Sequence, residues 1–291
     1  MRFLIKAPAL AASLLLAGCG TQVPSLREWP ATTDRDEGDM IASIVRSLGC
    51  ELRYAVTSVV DHDRGQAPHR LTGRVYAEFL KDWGVQVALN FTIIERTGFN
   101  PTLLLTPPSS PSSIFTLSGG ASVSAEATRI QKMNFFYMVS ELYSPAEFRG
   151  GKGREVCRDP TGNREGSLLV DSDLRLSSLI QGRLGATMLG FASSPGTSPL
   201  LPNEKNVLSQ SISFKILTSG QATPTWRLVR ATVNPSGSLL SVGRDRTHEL
   251  VFTFGPLDKS VRGARALTPL AQQTHLQTQL QTGIRNSLIS P

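Results

Sequence analysis

LNFTIIERTGFNPT (Leu89–Thr102) and ISFKILTSGQATPT (Ile212–Thr225) are two versions of one pattern, and this repetition decides the expected fold. The aligned phenylalanines Phe91 and Phe214 lie 123 positions apart, and so do the prolines that follow them. In both copies an alternation of apolar and polar residues leads into a turn, which is typical of a half-buried β-strand. The sequence therefore predicts one β-unit written twice.

A second match follows in the same order. Arg129 precedes Phe135 by six residues, Arg246 precedes Phe252 by six, and the two copies are 117 positions apart. The change of spacing from 123 to 117 falls between the two matched stretches, where a connection tolerates a change of length. Two matches in one order indicate a duplication.

We predict an α+β fold that is rich in β-structure and contains two tandem repeats. Each repeat has a leading helix and three or four antiparallel strands, packed as a sandwich or as one continuous sheet. Apolar residues at helical spacing predict the leading helices at Met40–Leu48, with Gly49 as a stop, and at Asp171–Leu184. An amphipathic pair of strands is expected within Ile114–Leu142.

The connecting stretches also carry predictions. In the first repeat the pattern predicts a strand or a helix-to-strand transition at Glu51–Val60, a polar loop at Asp61–Thr72 and a helix at Val75–Trp83. In the second it predicts a strand at Thr225–Val233 and two further strands at Leu239–Val242 and Thr247–Phe254.

The first twenty residues have the layout of an export signal. Arg2 and Lys6 precede the apolar run Ala7–Leu16, and small residues follow up to Cys19. A basic start, a short apolar run and small residues before a cleavage site describe a secretory signal. The apolar run is too short to cross a bilayer as a helix.

The order Leu16-Ala17-Gly18-Cys19 resembles the lipobox of bacterial lipoproteins, and the resemblance is limited to residues 1–20. It implies that Cys19 is acylated on sulfur, becomes the first residue after cleavage and is then N-acylated. Several acyl chains form a stable membrane anchor. Gly20 stands where Asp tends to retain Gram-negative lipoproteins at the inner membrane, so the resemblance implies the periplasmic side of the outer membrane. The alternative is an ordinary secretory peptide with a chance cysteine.

Together these patterns divide the chain into six segments. They are a signal peptide (1–18), a lipidated tether (19–34), a first α+β repeat (35–145), a linker (146–168), a second α+β repeat (169–258) and a C-terminal helix or tail (259–291).

Cys50 and Cys157 are the two cysteines that lipidation leaves over. An oxidising compartment favours a disulfide between them. Two buried free thiols are the alternative, because the sequence does not show that their Cα atoms come within bonding range.

The charge of the chain does not suggest a nucleic-acid partner. The formal net charge is +7, and the basic residues are spread along the chain instead of forming a stripe with aromatic residues. A weak attraction to anionic surfaces is compatible with this excess.

One short stretch could hold a metal ion. Asp61, His62, Asp63 and His69 lie close together in sequence, and carboxylates with imidazoles are metal ligands. A solvated loop is the favoured interpretation, because nothing in the pattern fixes ligand geometry. No metal and no cofactor is predicted.

Motifs for other chemistry are incomplete. Gly150–Gly153 contains glycines and a lysine, but no Gly-Lys-Ser/Thr follows. The sequence has no nucleophile elbow and no zinc-binding His-Glu-x-x-His. His248 stands where the first repeat has Gln131, so a structural role is favoured for it. No catalytic residue is predicted.

The favoured hypothesis is therefore a non-enzymatic, lipid-anchored module that binds or scaffolds a partner protein in the periplasm. One alternative is a subunit of an oligomeric envelope or secretion assembly, with the strands of Ile114–Leu142 added to a shared sheet. Another is an envelope hydrolase. The Leu267–Ile289 segment is either a helix packed on the sheets or a tail, and a partner-binding helix is a further alternative.

Overall fold

The computed structural model describes most of the chain beyond the predicted signal. The described residues are 23–26, 34–108, 115–149, 153, 157, 173–189, 207–228, 230–260 and 266–289. Cys19 and most of the predicted linker lie outside them.

The described part of the chain contains four α-helices and two short 3-10 helices. The α-helices are α1 (Asp34–Gln66), α2 (Val139–Leu142), α3 (Leu176–Met188) and α4 (Pro269–Ile289), and the 3-10 helices are Ala67–His69 and Ala77–Asp82.

Eight strands form two antiparallel sheets in the same described ranges. Four strands are long, namely β1 (Trp83–Phe99), β4 (Val123–Met138), β5 (Leu208–Ala222) and β8 (Leu240–Pro256). Four are short, namely β2 (Thr102–Leu105), β3 (Leu117–Gly120), β6 (Trp226–Arg227) and β7 (Ala231–Val233). The long strands form a sheet in the order β4-β1-β8-β5, and the short strands form one in the order β3-β2-β7-β6.

The predicted α+β, β-rich fold is confirmed, and the repeat is visible in the order of the strands. Each half of the chain supplies a long strand, two short strands and a second long strand. Phe91 on β1 is completely buried, whereas Phe214 on β5 is only half-buried. The difference follows from position, because β1 lies inside its sheet and β5 lies at an edge.

Helix α1 is longer than the sequence predicts. Glu51–Val60, predicted as a strand or a helix-to-strand transition, is helical throughout, and the helix does not stop at Gly49. Leu52 and Val56 are nearly inaccessible to solvent and extend the apolar stripe of the first turns. Burial of that stripe outweighs the preference of the β-branched residues in this stretch for strands.

The loop predicted over Asp61–Thr72 is also wrong in its first half. Residues up to Gln66 are helical, and the 3-10 turn Ala67–His69 follows. The helix predicted at Val75–Trp83 is a 3-10 helix over Ala77–Asp82.

Two strand boundaries in the second repeat differ from the prediction. Thr225–Val233 is divided into β6 and β7 around a turn, and Leu239–Val242 joins Thr247–Phe254 as the single strand β8. Before β8 the chain turns at Asn234 and Gly237, which have φ angles of 54° and 86°. Asparagine and glycine tolerate this left-handed conformation best.

The chain divides into two compact units that do not coincide with the two repeats. Unit 1 contains Met1–Leu26, Phe91–Gln131 and Lys215–Thr247, and unit 2 contains Arg27–Asn90, Lys132–Phe214 and His248–Pro291. Each of the four long strands therefore begins in one unit and ends in the other; β4, for example, passes from unit 1 to unit 2 after Gln131.

The core of unit 2 lies between helices and the strand segments that belong to it. Trp83, Phe252 and Phe254 are its largest completely buried side chains. A Cβ atom on Gly255 would lie 2.7 Å from the Cβ of Ala271, so α4 packs directly against the backbone of β8. The C-terminal segment is thus a helix packed on the sheet.

Candidate functional site

The cysteines predicted to pair are joined in the structure. A disulfide links Cys50 on α1 to Cys157, with 5.4 Å between their Cα atoms. It fixes a point of the stretch between the repeats to the helix that begins the first one.

The aspartates that were considered as metal ligands, Asp61 and Asp63, have other partners. The carboxylate of Asp63 is completely buried, where Oδ2 accepts the backbone N–H groups of Tyr76 and Ala77 at 2.7 Å. Oδ1 lies 2.8 Å from Arg70 Nη2. Asp61 accepts the hydroxyl of Tyr143 at 2.7 Å.

His62 and His69 are exposed on this same part of unit 2. Among the described residues, no three histidine, cysteine, aspartate or glutamate side chains are grouped so that they could hold a metal ion. Of the glycine-lysine stretch, Gly150, Gly151 and Lys152 lie outside the described residues.

The arginines shared by the two repeats have different surroundings. In unit 1, Arg129 Nη1 donates to the carbonyl oxygen of Pro24 at 3.1 Å, and its Nη2 donates to Gln131 at 3.0 Å. Arg246 is only 3% exposed, and His248 is buried two residues later in unit 2.

Arg129 and Arg244 hold a short N-terminal segment on unit 1. Arg244 donates to the carbonyl of Ser25 and forms an ion pair with Glu95 at 2.9 Å. Pro24 and Leu26 are buried. Residues 23–26 therefore pack on the sheet, although they belong to the predicted tether.

A polar pocket of about 350 Å³ lies on unit 1. Serine side chains, glycine backbone and Arg96 line it. The guanidinium of Arg96 bonds to Glu126 at 2.8 Å and to Asp245 at 2.6 Å, and these carboxylates raise the pKa of the arginine. Because its cation is already neutralised, the pocket offers little attraction to an anionic ligand.

Unit 2 contains two buried titratable residues, His275 on α4 and Glu249 on β8. His275 is 1% exposed, and its Nδ1 lies 2.9 Å from the hydroxyl of Thr253. Its Nε2 lies 2.8 Å from Gln279. Burial lowers the pKa of His275 and raises the pKa of Glu249, because a charged form loses hydration in the interior.

The most distinctive surface is formed by the outer strands of the short sheet in unit 1. In the described ranges, β3 and β6 each pair on one side only. Leu117 on β3 is 54% exposed, and Trp226 on β6 is 52% exposed. Phe115 and Leu228, beside these strands, are 58% and 66% exposed. We call β3 and β6 with these four residues the apolar edges.

The long sheet also has outer strands without a further strand beside them in the part that the structure describes. They are β4, with 16 residues, and β5, with 15. Neither strand contains proline, and Lys215 is the single charged residue of β5. A long edge with few charges and no proline pairs readily with another strand.

Helix α4 exposes an additional apolar row. Leu276, Leu280 and Ile284 recur every four residues and are 58–67% exposed. Within the described ranges, no helix combines the length and the hydropathy of a membrane-spanning segment.

Comparison with known proteins adds little to this geometry. No family model matches the chain, and the curated proteins contain no match. Solved structures that align with it include the secretin InvG of the Salmonella SPI-1 type III secretion injectisome, in its open gate state and in a near-atomic resolution structure. Both show 12% identity, a TM-score of 0.13 and cover 69% of this chain.

The aligned regions cover 66% and 70% of those two chains, so the first falls just short of two thirds. A model of the Salmonella basal body proteins InvG, PrgH and PrgK aligns with the same identity and TM-score over 50% of its chain. Similarity at this level carries no argument about fold or function.

Sequence reasoning did not find the apolar edges. The repeat gave one indication of these residues, because Trp226 and Leu228 stand 123 positions after Leu103 and Leu105 and so occupy the same places in the second copy. Their exposure depends on which strand ends a sheet, and that is a property of tertiary pairing.

Proposed function

We propose that the chain is a lipid-anchored, non-enzymatic subunit of a multi-subunit assembly in the bacterial cell envelope. The observation that carries this proposal is the presence of large exposed apolar side chains on both open edges of the short sheet. Phe115 and Leu117 lie on one edge, and Trp226 and Leu228 lie on the other. Single exposed apolar residues are common, but apolar residues along unpaired strand edges mark a surface that another chain covers.

The anchor follows from the lipobox, and the packed N-terminal segment supports its place beside unit 1. Cys19 is four residues before Val23, and the residues after Val23 are held by Arg129 and Arg244. Four extended residues span at most about 14 Å. Acyl chains on Cys19 would therefore keep unit 1 close to the membrane surface.

The location is part of the same proposal. A lipoprotein signal with Gly20 after the cysteine favours the periplasmic side of the outer membrane. Incorporation of radiolabelled palmitate tests the anchor: the wild-type chain should be labelled, and Cys19→Ala should not. A labelled Cys19→Ala variant would rule out lipidation at this residue.

The assembly is tested by native mass. The full-length chain, solubilised in mild detergent from membranes of the cells that produce it, should migrate in a complex larger than one 31.5 kDa chain. The double variant Trp226→Ser, Leu228→Ser should shift the protein towards smaller species, because it removes apolar area from one edge.

Leu71→Ser is the matched control, since Leu71 is fully exposed and belongs to unit 2, whereas the apolar edges belong to unit 1. It should leave the native mass unchanged. A wild-type chain that migrates as a single subunit under these conditions would overturn the proposed role.

A further inference from the structure

The long sheet and the short sheet join the two repeats in the same way. In the long sheet the first strand of repeat one, β1, pairs with the last strand of repeat two, β8. In the short sheet β2 of repeat one pairs with β7 of repeat two. The free edges of the long sheet are β4, the last strand of repeat one, and β5, the first strand of repeat two. Those of the short sheet are β3, the third strand of repeat one, and β6, the second strand of repeat two.

Because of this order, a second copy in the same orientation can continue the sheets of the first. When a second copy is placed beside the first, β4 of the second copy lies next to β5 of the first. This pair joins the last strand of one repeat to the first strand of another, as β8 and β1 do inside the chain. In the same placement, β3 of the second copy lies next to β6 of the first. This pair joins the third strand of one repeat to the second strand of another, as β7 and β2 do inside the chain. Both sheets can therefore be continued by one placement of the second copy.

Strand direction agrees with this placement. Each copy contributes four antiparallel strands to each sheet, so the two outer strands of a sheet run in opposite directions. A following copy in the same orientation consequently presents β4 antiparallel to β5 and β3 antiparallel to β6. The alternation is kept without reversing any chain.

The internal junction is hydrogen-bonded along both sheets. Just beyond the paired ends of β1 and β8, Asn100 N donates to Leu239 O at 2.8 Å, and just after β7, Asn234 N donates to Thr102 O of β2 at 2.7 Å. The junction also holds the ion pair of Arg244 with Glu95. The chain thus already contains one complete example of the contact between repeats.

We propose that the partner covering the apolar edges is a second copy of this chain, bound head to tail through β5 and β6 of one copy and β4 and β3 of the next. Such a contact joins two different surfaces and extends from copy to copy, into a ring where the rotation closes. This inference rests on the proposed role in an assembly and names its partner.

The internal register fixes which residues meet. Inside the chain, Leu103 lies opposite Val233 and Leu105 lies opposite Ala231. Trp226 and Leu228 correspond to Leu103 and Leu105 by the spacing of 123.

The strand opposite them is fixed by the hairpins. Leu103 also lies opposite Gly119 within repeat one, as Trp226 lies opposite Val233 within repeat two. Gly119 therefore corresponds to Val233, and Leu117 corresponds to Ala231.

The predicted contact follows from these two correspondences. Trp226 should lie opposite Gly119 of the next copy, and Leu228 should lie opposite Leu117 of the next copy. An indole over glycine and leucine beside leucine would cover side chains that are more than half exposed in the single chain.

Cysteine pairs test this register in the full-length, membrane-extracted protein. In the double variant Leu117→Cys, Leu228→Cys, opposite Cβ atoms would be about 4.5–5.5 Å apart, close enough for a disulfide after small adjustments. Mild oxidation should produce a ladder of covalent multiples of the chain on a denaturing gel without reductant. Both side chains are exposed, so the variant is expected to fold, and an unchanged thermal unfolding curve verifies this.

The single variants are the sharpest controls. Leu117→Cys alone and Leu228→Cys alone should form no specific product, because a head-to-tail contact never brings the same residue from two copies together. Co-expression of the two single variants should give linked dimers and no longer ladder. Arg227→Cys with Leu117→Cys should link poorly, since neighbouring strand residues point to opposite faces.

The outcomes separate this inference from the proposed function. A large native complex in which the double variant forms no ladder, or in which a single variant links as well as the double, would overturn the head-to-tail register and leave the assembly role standing. A complex that contains one copy of this chain with other proteins would do the same. A single-subunit native mass would overturn both.

Discussion

Arg70 Nη2 lies 2.8 Å from Oδ1 of Asp63, a carboxylate with no solvent-accessible surface. The other oxygen of Asp63 accepts two backbone N–H groups from the start of the following 3-10 helix. Asp63, near the end of α1, thus binds the backbone N–H groups of Tyr76 and Ala77 and the guanidinium of Arg70. In unit 2 this carboxylate fixes the path of the chain between α1 and β1.

Replacement of Asp63 should therefore be strongly destabilising. In Asp63→Ala the two N–H groups and the Arg70 guanidinium lose their buried partner, and we expect the free energy of unfolding to fall by about 3 kcal/mol. Urea denaturation followed by circular dichroism measures the change. Asp61→Ala, two residues away at an exposed position of the same helix, should cost less than about 1 kcal/mol. Equal losses for the two variants would contradict this role of Asp63.

The disulfide should contribute to stability through the length of chain that it closes. Cys50 and Cys157 are 107 residues apart, and a loop of that size corresponds to about 4–5 kcal/mol in the chain-entropy account. The double variant Cys50→Ala, Cys157→Ala should unfold at lower denaturant concentration than the wild type. Adding a reductant should lower the midpoint of the wild type and leave that of the variant unchanged. A reductant effect of similar size on both would show that the bond is not the cause.

His275 should make the fold sensitive to acid. Burial lowers its pKa in the folded state, so the unfolded chain takes up a proton first as the pH falls below about 6.5, and stability is lost from that point downward. The loss has an upper limit of about 1.4 kcal/mol for each pH unit until the folded-state pKa is reached.

The variant His275→Gln should lose less stability than the wild type between about pH 7.5 and pH 5.5, as measured by urea denaturation at each pH. Glu249, whose pKa burial raises, is present in both proteins, so the comparison isolates the histidine. His62→Gln, which removes an exposed histidine from α1, is the control and should follow the wild type. Parallel curves for wild type and His275→Gln would refute the assignment.

The duplication could be predicted from the sequence because its signal is local to each strand. Phe91 and Phe214 stand in matching alternations, and the same order of long and short strands follows each of them. The alternation predicts strands, and both stretches are strands. It does not report how far each is covered, since β1 is buried at nearly every position up to Phe91 and no residue of β5 is buried. It does not report which strand ends a sheet, because that depends on residues far away in sequence. The exposure of Trp226 and Leu228 was beyond reach for the same reason.

Helix α1 shows where local preference misleads. Gly49 is a common helix end, and Val56 and Val59 favour strands, yet both valines are 1% exposed inside a continuous helix. Their burial in unit 2 supplies the free energy that propensity does not. Asp63 was similarly expected in a solvated loop, because nothing near it in sequence indicates that it accepts backbone N–H groups from residues 13 and 14 positions later.

Arg129 connects the sheet of unit 1 to the segment that follows the predicted anchor. Its guanidinium donates to the carbonyl oxygen of Pro24, and Leu26 beyond it is completely buried. Removal of the donor should free residues 23–26 without unfolding unit 1, because Arg129 is on the sheet surface and its aliphatic stem can be replaced. Arg129→Met keeps the apolar stem and removes the charge and the hydrogen bonds.

We expect thermolysin to cut before Leu26 several times faster in Arg129→Met than in the wild type, because the loss of about 1–2 kcal/mol of charged hydrogen bonding raises the population of the released segment. Mass spectrometry of the N-terminal fragment follows the cut, and the urea midpoint of the variant should change little. Lys132→Met removes an exposed cation three residues along the same strand and should be cut at the wild-type rate. If Arg129→Met and the wild type release the fragment at the same rate, the guanidinium of Arg129 has no part in holding this segment on unit 1, and the packing of Pro24 and Leu26 with the bond from Arg244 suffices.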